Sequence, residues 1–87
     1  MDIQGKLVKT LPEVKGEGKN GTWVKQEFVI ETFGEYPKIV AFEAWGDHAE
    51  TVKHFAIGTV LNVKFSPESK EYNDRWYTAL RAYTITQ

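Results

Sequence analysis

The fold is decided by residues 38–69, KIVAFEAWGDHAETVKHFAIGTVLNVKFSPES, because the spacing of apolar side chains changes twice along them. The first and last parts alternate between two faces, which predicts two strands with one buried face each. The middle part has an approximately helical spacing and ends at Gly58. Asp47 is the expected N-cap of this helix, with Glu50 as its capping-box partner. The stretch therefore predicts one helix of about two turns between two strands.

Three further segments alternate in the same way and lie on both sides of this stretch. They are residues 2–11, 23–32 and 75–86. Between the first two, the glycine-rich residues 12–22 predict a mobile loop. Asn73 and Asp74 predict a tight turn before the last strand, since both residue types tolerate positive φ. Pro67 is expected to bend or fray the fourth strand near an edge.

The order of these elements predicts the architecture. Five strands with one short helix between strands 3 and 4 is the order of the OB-fold, whose closure hides the edges that a small flat sheet exposes. We therefore expect one all-β domain over residues 1–87, a five-stranded OB-fold barrel. A half-open sheet covered by the helix is the alternative. Within each strand, the residues expected on one face are Ile3, Gly5 and Leu7; Val24, Phe28 and Ile30; Val40, Phe42 and Ala44; Leu61, Val63 and Phe65; and Trp76, Thr78, Leu80 and Ala82.

The composition is that of one small globular domain. Of the 87 residues, 41% are hydrophobic and 26% are charged. The absence of cysteine excludes disulfides, thiolate metal sites and thiol catalysis. No apolar run approaches the roughly 20 residues of a membrane span, and the first residues have no signal-peptide pattern. We therefore expect a cytoplasmic protein without membrane contact.

Charge argues against one class of nucleic-acid-binding protein. With a formal net charge of −1 and a pI of about 6.1, the domain lacks the bulk positive charge expected of a duplex-binding protein. Residues 15–25 still carry Lys15, Lys19 and Lys25 against Glu17, so a local basic groove is compatible with the sequence.

Aromatic and cationic residues gather where an OB-fold binds its ligands, on strands 2 and 3 between the first and last inter-strand loops. Rings there would stack on bases, each base contributing roughly 1–3 kcal/mol, and cations would neutralise phosphates. Because stacking tolerates any base, little sequence preference is expected. The predicted nucleic-acid-binding residues are Lys15, Lys19, Trp23, Lys25, Lys38, Trp45, Lys70, Tyr72, Arg75, Trp76 and Tyr77.

Each of these residue types also has a purely structural interpretation. Trp45 could pack against the helix or another subunit, Trp23 could hold down the first loop, and Trp76 could belong to the core or its rim. Tyr72 and Tyr77 could be a cross-strand pair. Lysines and Arg75 are commonly just solvated, and Arg81 with Tyr83 could line a dimer contact.

Patterns for catalysis and metal binding are weak. His48 and His54 are six residues apart, whereas helical metal pairs prefer a separation of four. The segment GEGKNGT precedes a strand rather than a helix, unlike a phosphate-binding loop. No nucleophile–base pattern accompanies the carboxylates, so we expect no enzyme, no cofactor and no metal.

Four segments carry a family resemblance: GKLVKTLPEVKGEGKNGTWVKQEFVIET, FEAWGDHAE, IGTVLNVKF and EYNDRWYTALRAY. They resemble a small single-domain OB-fold family of unassigned function, similar to bacterial single-stranded DNA-binding proteins and primosomal protein B. FEAWG occupies the place of an apolar-x-Leu-Phe-Gly strand end in the DNA-binding proteins, which puts their stacking phenylalanine at Trp45. RWYTA occupies the place of their Tyr-Thr-Thr strand. The resemblance implies a homodimer or tetramer that acts in DNA replication, repair or recombination.

The sequence therefore favours a non-catalytic domain that binds single-stranded nucleic acid, DNA more than RNA. The rival hypothesis is a protein-interaction or oligomer-assembly module that uses the same aromatic face. Its support is the outward position of Glu27, Glu31 and Glu43, whose carboxylates would repel phosphate.

Overall fold

Six strands and one helix form the part of the chain that the computed structural model describes, residues 1–19 and 21–87. The helix follows the strand that ends at Trp45, as predicted, but it lies between the fourth and fifth strands rather than the third and fourth, because Val14–Gly18 forms an additional strand. The elements are β1 (Asp2–Thr10), β2 (Val14–Gly18), β3 (Gly21–Thr32), β4 (Ile39–Trp45), α1 (Asp47–Lys53), β5 (Val60–Tyr72) and β6 (Arg75–Thr86). None of the helical residues described forms a segment long and apolar enough to cross a membrane.

Strand β2 is a correction to the predicted mobile loop at residues 12–22 and raises the strand number from five to six. Val14–Gly18 pairs antiparallel with the first part of β3, from Val14 opposite Lys25 to Gly18 opposite Gly21. The segment is poor in apolar residues, so its hydrophobic pattern does not indicate a strand. It is a strand because its backbone pairs with the backbone at the start of β3. Asn20, part of the predicted loop, lies outside the described residues.

The strand pairings form a ring that begins and ends at β1. The sheet order is β1–β5–β6–β4–β3–β2, and β1 additionally pairs with β3. The link between β4 and β6 is parallel and narrow, with Glu43 opposite Arg81. Gly5 lies opposite both Thr32 of β3 and Leu61 of β5. The inward faces of the strands therefore meet in one interior.

Most of the core residues are ones whose alternation predicts them, although Trp76 and Thr78 are exposed and Ile85 is buried instead. Phe28 and Phe42 stack with ring centroids 5.4 Å apart, and Phe65 meets the edge of Phe42 at 5.1 Å. Gln26 is also buried, which the sequence pattern does not indicate. Its amide donates to the carbonyl oxygens of Leu11 and Glu27 and ties the start of the first connection to β3. The buried apolar residues include Leu7, Phe28, Ile30, Phe42, Ala44, Val52, Leu61, Val63, Ala82 and Ile85.

Helix α1 covers the core with Ala49 and Val52, but its start differs from the prediction. Gly46, at φ 58°, is the N-cap residue, and no side chain caps the helix, so the predicted N-cap role of Asp47 is wrong. Positive φ at Gly46 turns the chain from β4 directly into the helix and makes Asp47 its first residue. The helix also ends at Lys53, before Gly58.

Strands β5 and β6 continue beyond the rest of the sheet as a two-stranded ribbon. The predicted turn at its tip is confirmed, with Asn73 at φ 51° and Asp74 at φ 64°. Strand β5 does not fray at Pro67, since the strand runs through this residue and pairs it with Leu80. Pairing of β1 with β5 stops at Lys64, so Pro67 lies on an edge that needs no backbone donor.

An irregularity near the base of the ribbon changes which residues of β6 face inward. Lys64 lies opposite Thr84, whereas Phe65 lies opposite Ala82, so Tyr83 is an extra residue in β6. The inward face therefore passes from Ala82 to Ile85, both of which are buried.

Gly5 should be the position of β1 that tolerates substitution least. A Cβ there would lie 2.8 Å from the Glu31 carbonyl oxygen, so Gly5→Ala must separate β1 from β3. We expect a loss of about 2 kcal/mol in the free energy of unfolding, measured by urea denaturation. Gly18→Ala is the control, because its Cβ would meet Trp23 at an ordinary 3.5 Å. Equal stability of the two variants would contradict this account of β1.

Candidate nucleic-acid interface

The outer faces of β3 and β4 carry two indole rings side by side. Lys25 of β3 lies directly opposite Trp45 of β4, and Trp23 lies two residues earlier on the same face. The ring centroids of Trp23 and Trp45 are 5.4 Å apart, with their planes tilted by 50°. This distance is within the range of attractive aromatic pairs, so the two rings form one continuous apolar surface.

Glycine in β2 makes room for the first of these rings. Gly16 lies opposite Trp23, and a Cβ at Gly16 would be 2.3 Å from a ring carbon of Trp23. The indole therefore lies flat against the β2 backbone, and 38% of Trp23 remains exposed. Glycine in this segment thus serves ring packing, whereas the sequence suggests loop mobility.

Two cations hold the second ring. The Lys25 Nζ atom lies 5.7 Å from the centroid of Trp45, and the Arg81 guanidinium carbon lies 5.3 Å from it. Both distances are typical of cation–π contacts. Trp45 is half-buried, and its Nε1 atom is buried without a hydrogen-bond partner among the residues described. Trp45 is therefore fixed by its neighbours, while Trp23 is the more open ring.

A groove of about 460 Å³ runs from Trp45 to the outer face of the β5–β6 ribbon. Its lining combines aromatic rings, cations and carboxylates. Residues from β3 and β4 are Lys25, Glu43 and Trp45, and residues from the ribbon include Glu68, Lys70, Tyr77 and Arg81. The volume is in the range of small-ligand sites.

Five of the predicted site residues meet at this groove or beside it, and two more continue from it. Trp23, Lys25, Trp45, Lys70 and Tyr77 form the first set. Tyr72 and Arg75 are paired with each other at the ribbon tip, on the same face as the paired Lys70 and Tyr77. We call this continuous surface, from Trp23 across Trp45 to Tyr72, the aromatic face.

The other predicted residues lie elsewhere. Trp76 pairs with Glu71 on the opposite face of the ribbon and is 67% exposed, so it is not a core residue. Lys38 precedes β4, at the end of the strand away from Trp45. Lys15 lies opposite Val24, on the other side of the sheet from Trp23, and its Nζ atom is 3.3 Å from a Glu13 carboxylate oxygen. Lys19 follows β2 at the hairpin end.

Sequence reasoning missed part of the groove. Arg81, which the sequence suggested only for a dimer contact, lies over the Trp45 ring. Glu68 faces the groove with Lys70. Alternation along β5 and β6 indicates that Glu68 and Lys70, and likewise Tyr77 and Arg81, share one face of their strand. Only the pairing of β4 with β6 shows that this face lies against Trp45.

Carboxylates offset part of the positive charge on the aromatic face. The Lys25 Nζ atom lies 3.7 Å from Glu27 Oε1 and 3.8 Å from Glu43 Oε2. Away from this face, Lys53 of α1 forms ion pairs with Glu13 and Glu50. In the part of the chain that the structure describes, no carboxylate lies within ion-pair distance of Lys19, Lys70, Arg75 or Arg81. These four cations remain available to an anionic ligand.

Comparison with known protein families gives one match, to the family described as Domain of unknown function (DUF3127), over residues 2–86. The chain belongs to this family. The match spans nearly the whole sequence, which agrees with the small single-domain family that the resemblance predicted. No curated protein matches the sequence.

Solved structures share the fold at low sequence identity. The mitochondrial single-stranded DNA-binding protein Rim1 from S. cerevisiae has a TM-score of 0.70 at 11% identity, covering 99% of this chain and 90% of that one. The SSB domain of a Synechococcus sp. protein has a TM-score of 0.72 at 14% identity, with coverages of 100% and 92%. PriB from Ralstonia solanacearum has a TM-score of 0.55 at 15% identity, with coverages of 99% and 93%. The predicted likeness to single-stranded DNA-binding proteins and primosomal protein B is confirmed.

Contact between Trp23 and Trp45 can be tested spectroscopically. Gly16→Ala should push the Trp23 ring away from β2 and weaken the exciton coupling of the two indoles, which circular dichroism detects. Gly18→Ala should leave the coupling in place, because its Cβ makes only ordinary contact with the ring. A spectrum unchanged by Gly16→Ala would contradict the close packing of Trp23 on Gly16.

Proposed function

We propose that the aromatic face binds single-stranded nucleic acid, DNA in preference to RNA, with little sequence preference and without catalysis. The observation that carries the proposal is the groove in which Trp45, Tyr77, Lys70 and Arg81 meet. The ring of strand pairings supports treating the fold as an OB-type barrel with β2 added beside β3. In such barrels this face, between the first and last inter-strand loops, is the ligand-binding face.

Stacking supplies the main attraction in this proposal. Trp23, Tyr77 and Tyr72 keep large exposed ring areas along the aromatic face. Each base stacked on a ring contributes roughly 1–3 kcal/mol, so two or three rings give about 2–9 kcal/mol before ordering costs. Trp45 holds the position that the family resemblance gives to a stacking residue, and its cation contacts keep that ring in place.

Phosphate contacts are the smaller contribution. Lys25 already has two carboxylates within 4 Å, so its charge is largely offset. Four cations without a carboxylate in ion-pair distance among the residues described are Lys70 and Arg81 in the groove, Arg75 at the ribbon tip, and Lys19 after β2 at the hairpin end. They support a path for the backbone from the β2 hairpin to the ribbon tip.

The likeness to structures of single-stranded DNA-binding proteins supports this function over a protein-interaction module. A homodimer or tetramer, a cytoplasmic location and a role in DNA replication, repair or recombination stay predictions from the sequence.

Substitution of Trp45 should weaken binding far more than substitution of Lys38. We expect Trp45→Ala to lower the affinity for an unstructured mixed-sequence DNA oligonucleotide roughly tenfold or more at an ionic strength of about 0.15 M. Lys38→Ala, at the remote end of β4, should change it little. Fluorescence anisotropy of a labelled oligonucleotide measures both, and thermal melting shows that each variant is folded. Equal losses in the two variants would rule out stacking as the main attraction.

Salt dependence should be shallow. With about four phosphates neutralised and roughly 0.7 counterions released for each in a single strand, the slope of log affinity against log salt should be about −3. Arg75→Ala should reduce its magnitude by about 0.7, whereas Lys15→Ala, on the other side of the sheet, should leave it unchanged. A steep slope that Lys15→Ala reduces would place the phosphate path elsewhere.

A further inference from the structure

Glu43 is the part of the groove that phosphate binding and stacking do not explain. It lies on β4 between Lys25 of β3 and Arg81 of β6, and Arg81 is its direct partner in the β4–β6 pairing. A carboxylate at this place repels phosphate and offsets part of the charge of Lys25. The same carboxylate can instead bind a base, because its oxygens accept hydrogen bonds from the amino groups of bases.

The Glu43 carboxylate also has unused acceptor capacity. Its Oε2 atom is 3.8 Å from the Lys25 Nζ atom, which is an ion-pair distance but too long for a hydrogen bond. Within residues 1–19 and 21–87, no donor forms a hydrogen bond to it. The side chain is 25% exposed and lines the groove, and an ionised carboxylate has about four acceptor positions.

We infer that Glu43 reads the edge of a base held in the groove and selects cytosine over uracil or thymine. The inference rests on the proposed function and adds one selective position to an otherwise sequence-tolerant face. Cytosine presents an amino group at its position 4, which a glutamate accepts. The N3 and O2 atoms of the same base are acceptors, and Lys25 and Arg81 beside Glu43 are donors.

Uracil has the same ring but a carbonyl oxygen at position 4. In the same pose, this oxygen would face the Glu43 carboxylate, and two acceptors without a donor between them leave both groups unpaired. The two bases have nearly the same stacking surface, so the difference in affinity isolates the reading of the base edge.

The test compares oligo(dC) with oligo(dU) of equal length, at mildly alkaline pH so that oligo(dC) stays unfolded. We expect wild-type protein to bind oligo(dC) roughly fivefold or more tightly, as one discriminating hydrogen-bonded contact provides. In Glu43→Ala the ratio should fall to about one. Glu31→Ala is the matched control, because it removes the same charge from the outer face of β3 at the end remote from the groove, and it should keep the wild-type ratio.

The outcomes separate this inference from the proposed function. Equal wild-type affinities for the two oligonucleotides, or a preference that survives in Glu43→Ala, would overturn base reading while leaving single-strand binding intact. Binding of neither oligonucleotide would overturn both. The wild-type ratio needs no variant, so the test does not depend on whether Glu43→Ala folds.

Discussion

Pairing of β1 with both β3 and β5 is the constraint on which the rest of this structure depends. Through these two pairings, the series β1, β5, β6, β4 and β3 closes on β1. The alternating apolar residues of the five strands therefore face a shared interior. A chain of 87 residues buries only about 60–65% of its unfolded surface, so a small core has to use every inward position. Gly5, opposite residues of both neighbours, allows the backbones to approach where the ring closes.

That constraint also determines what the outside of the domain carries. Because neighbouring side chains in a strand alternate, the residues that cannot enter the core are displayed in rows across β3, β4 and the ribbon. The narrow contact between β4 and β6 then brings the ribbon against these rows. Arg81 and Lys25 approach the same indole from two strands, and a groove opens between Trp45 and Tyr77.

In the part of the chain that the structure describes, the aromatic face carries unpaired cations although the domain as a whole has a small negative net charge. The domain has a net charge of −1, yet three cations of the aromatic face, Lys70, Arg75 and Arg81, have no carboxylate within ion-pair distance among the residues described. Glutamates are concentrated near Lys25, where they offset charge and, in our inference, offer acceptors to a base. In our proposal, stacking of bases on the aromatic rings contributes more to affinity than phosphate contacts do. This balance is compatible with a pI of about 6.1.

Local chemistry in the sequence determined the five strands other than β2, most of the core and the ribbon turn. Alternation predicts the buried Leu7, Phe28 and Phe42, and the tolerance of Asn73 and Asp74 for positive φ predicts the turn. Only the tertiary structure decided β2, the burial of Gln26, and the opposite positions of Trp76 and Tyr77 relative to the groove. These features depend on which strand lies alongside, and a residue's own neighbours in the chain do not carry that information. For the same reason, Trp45 is recognisable in the sequence as a candidate, whereas the cations that hold its ring come from other strands.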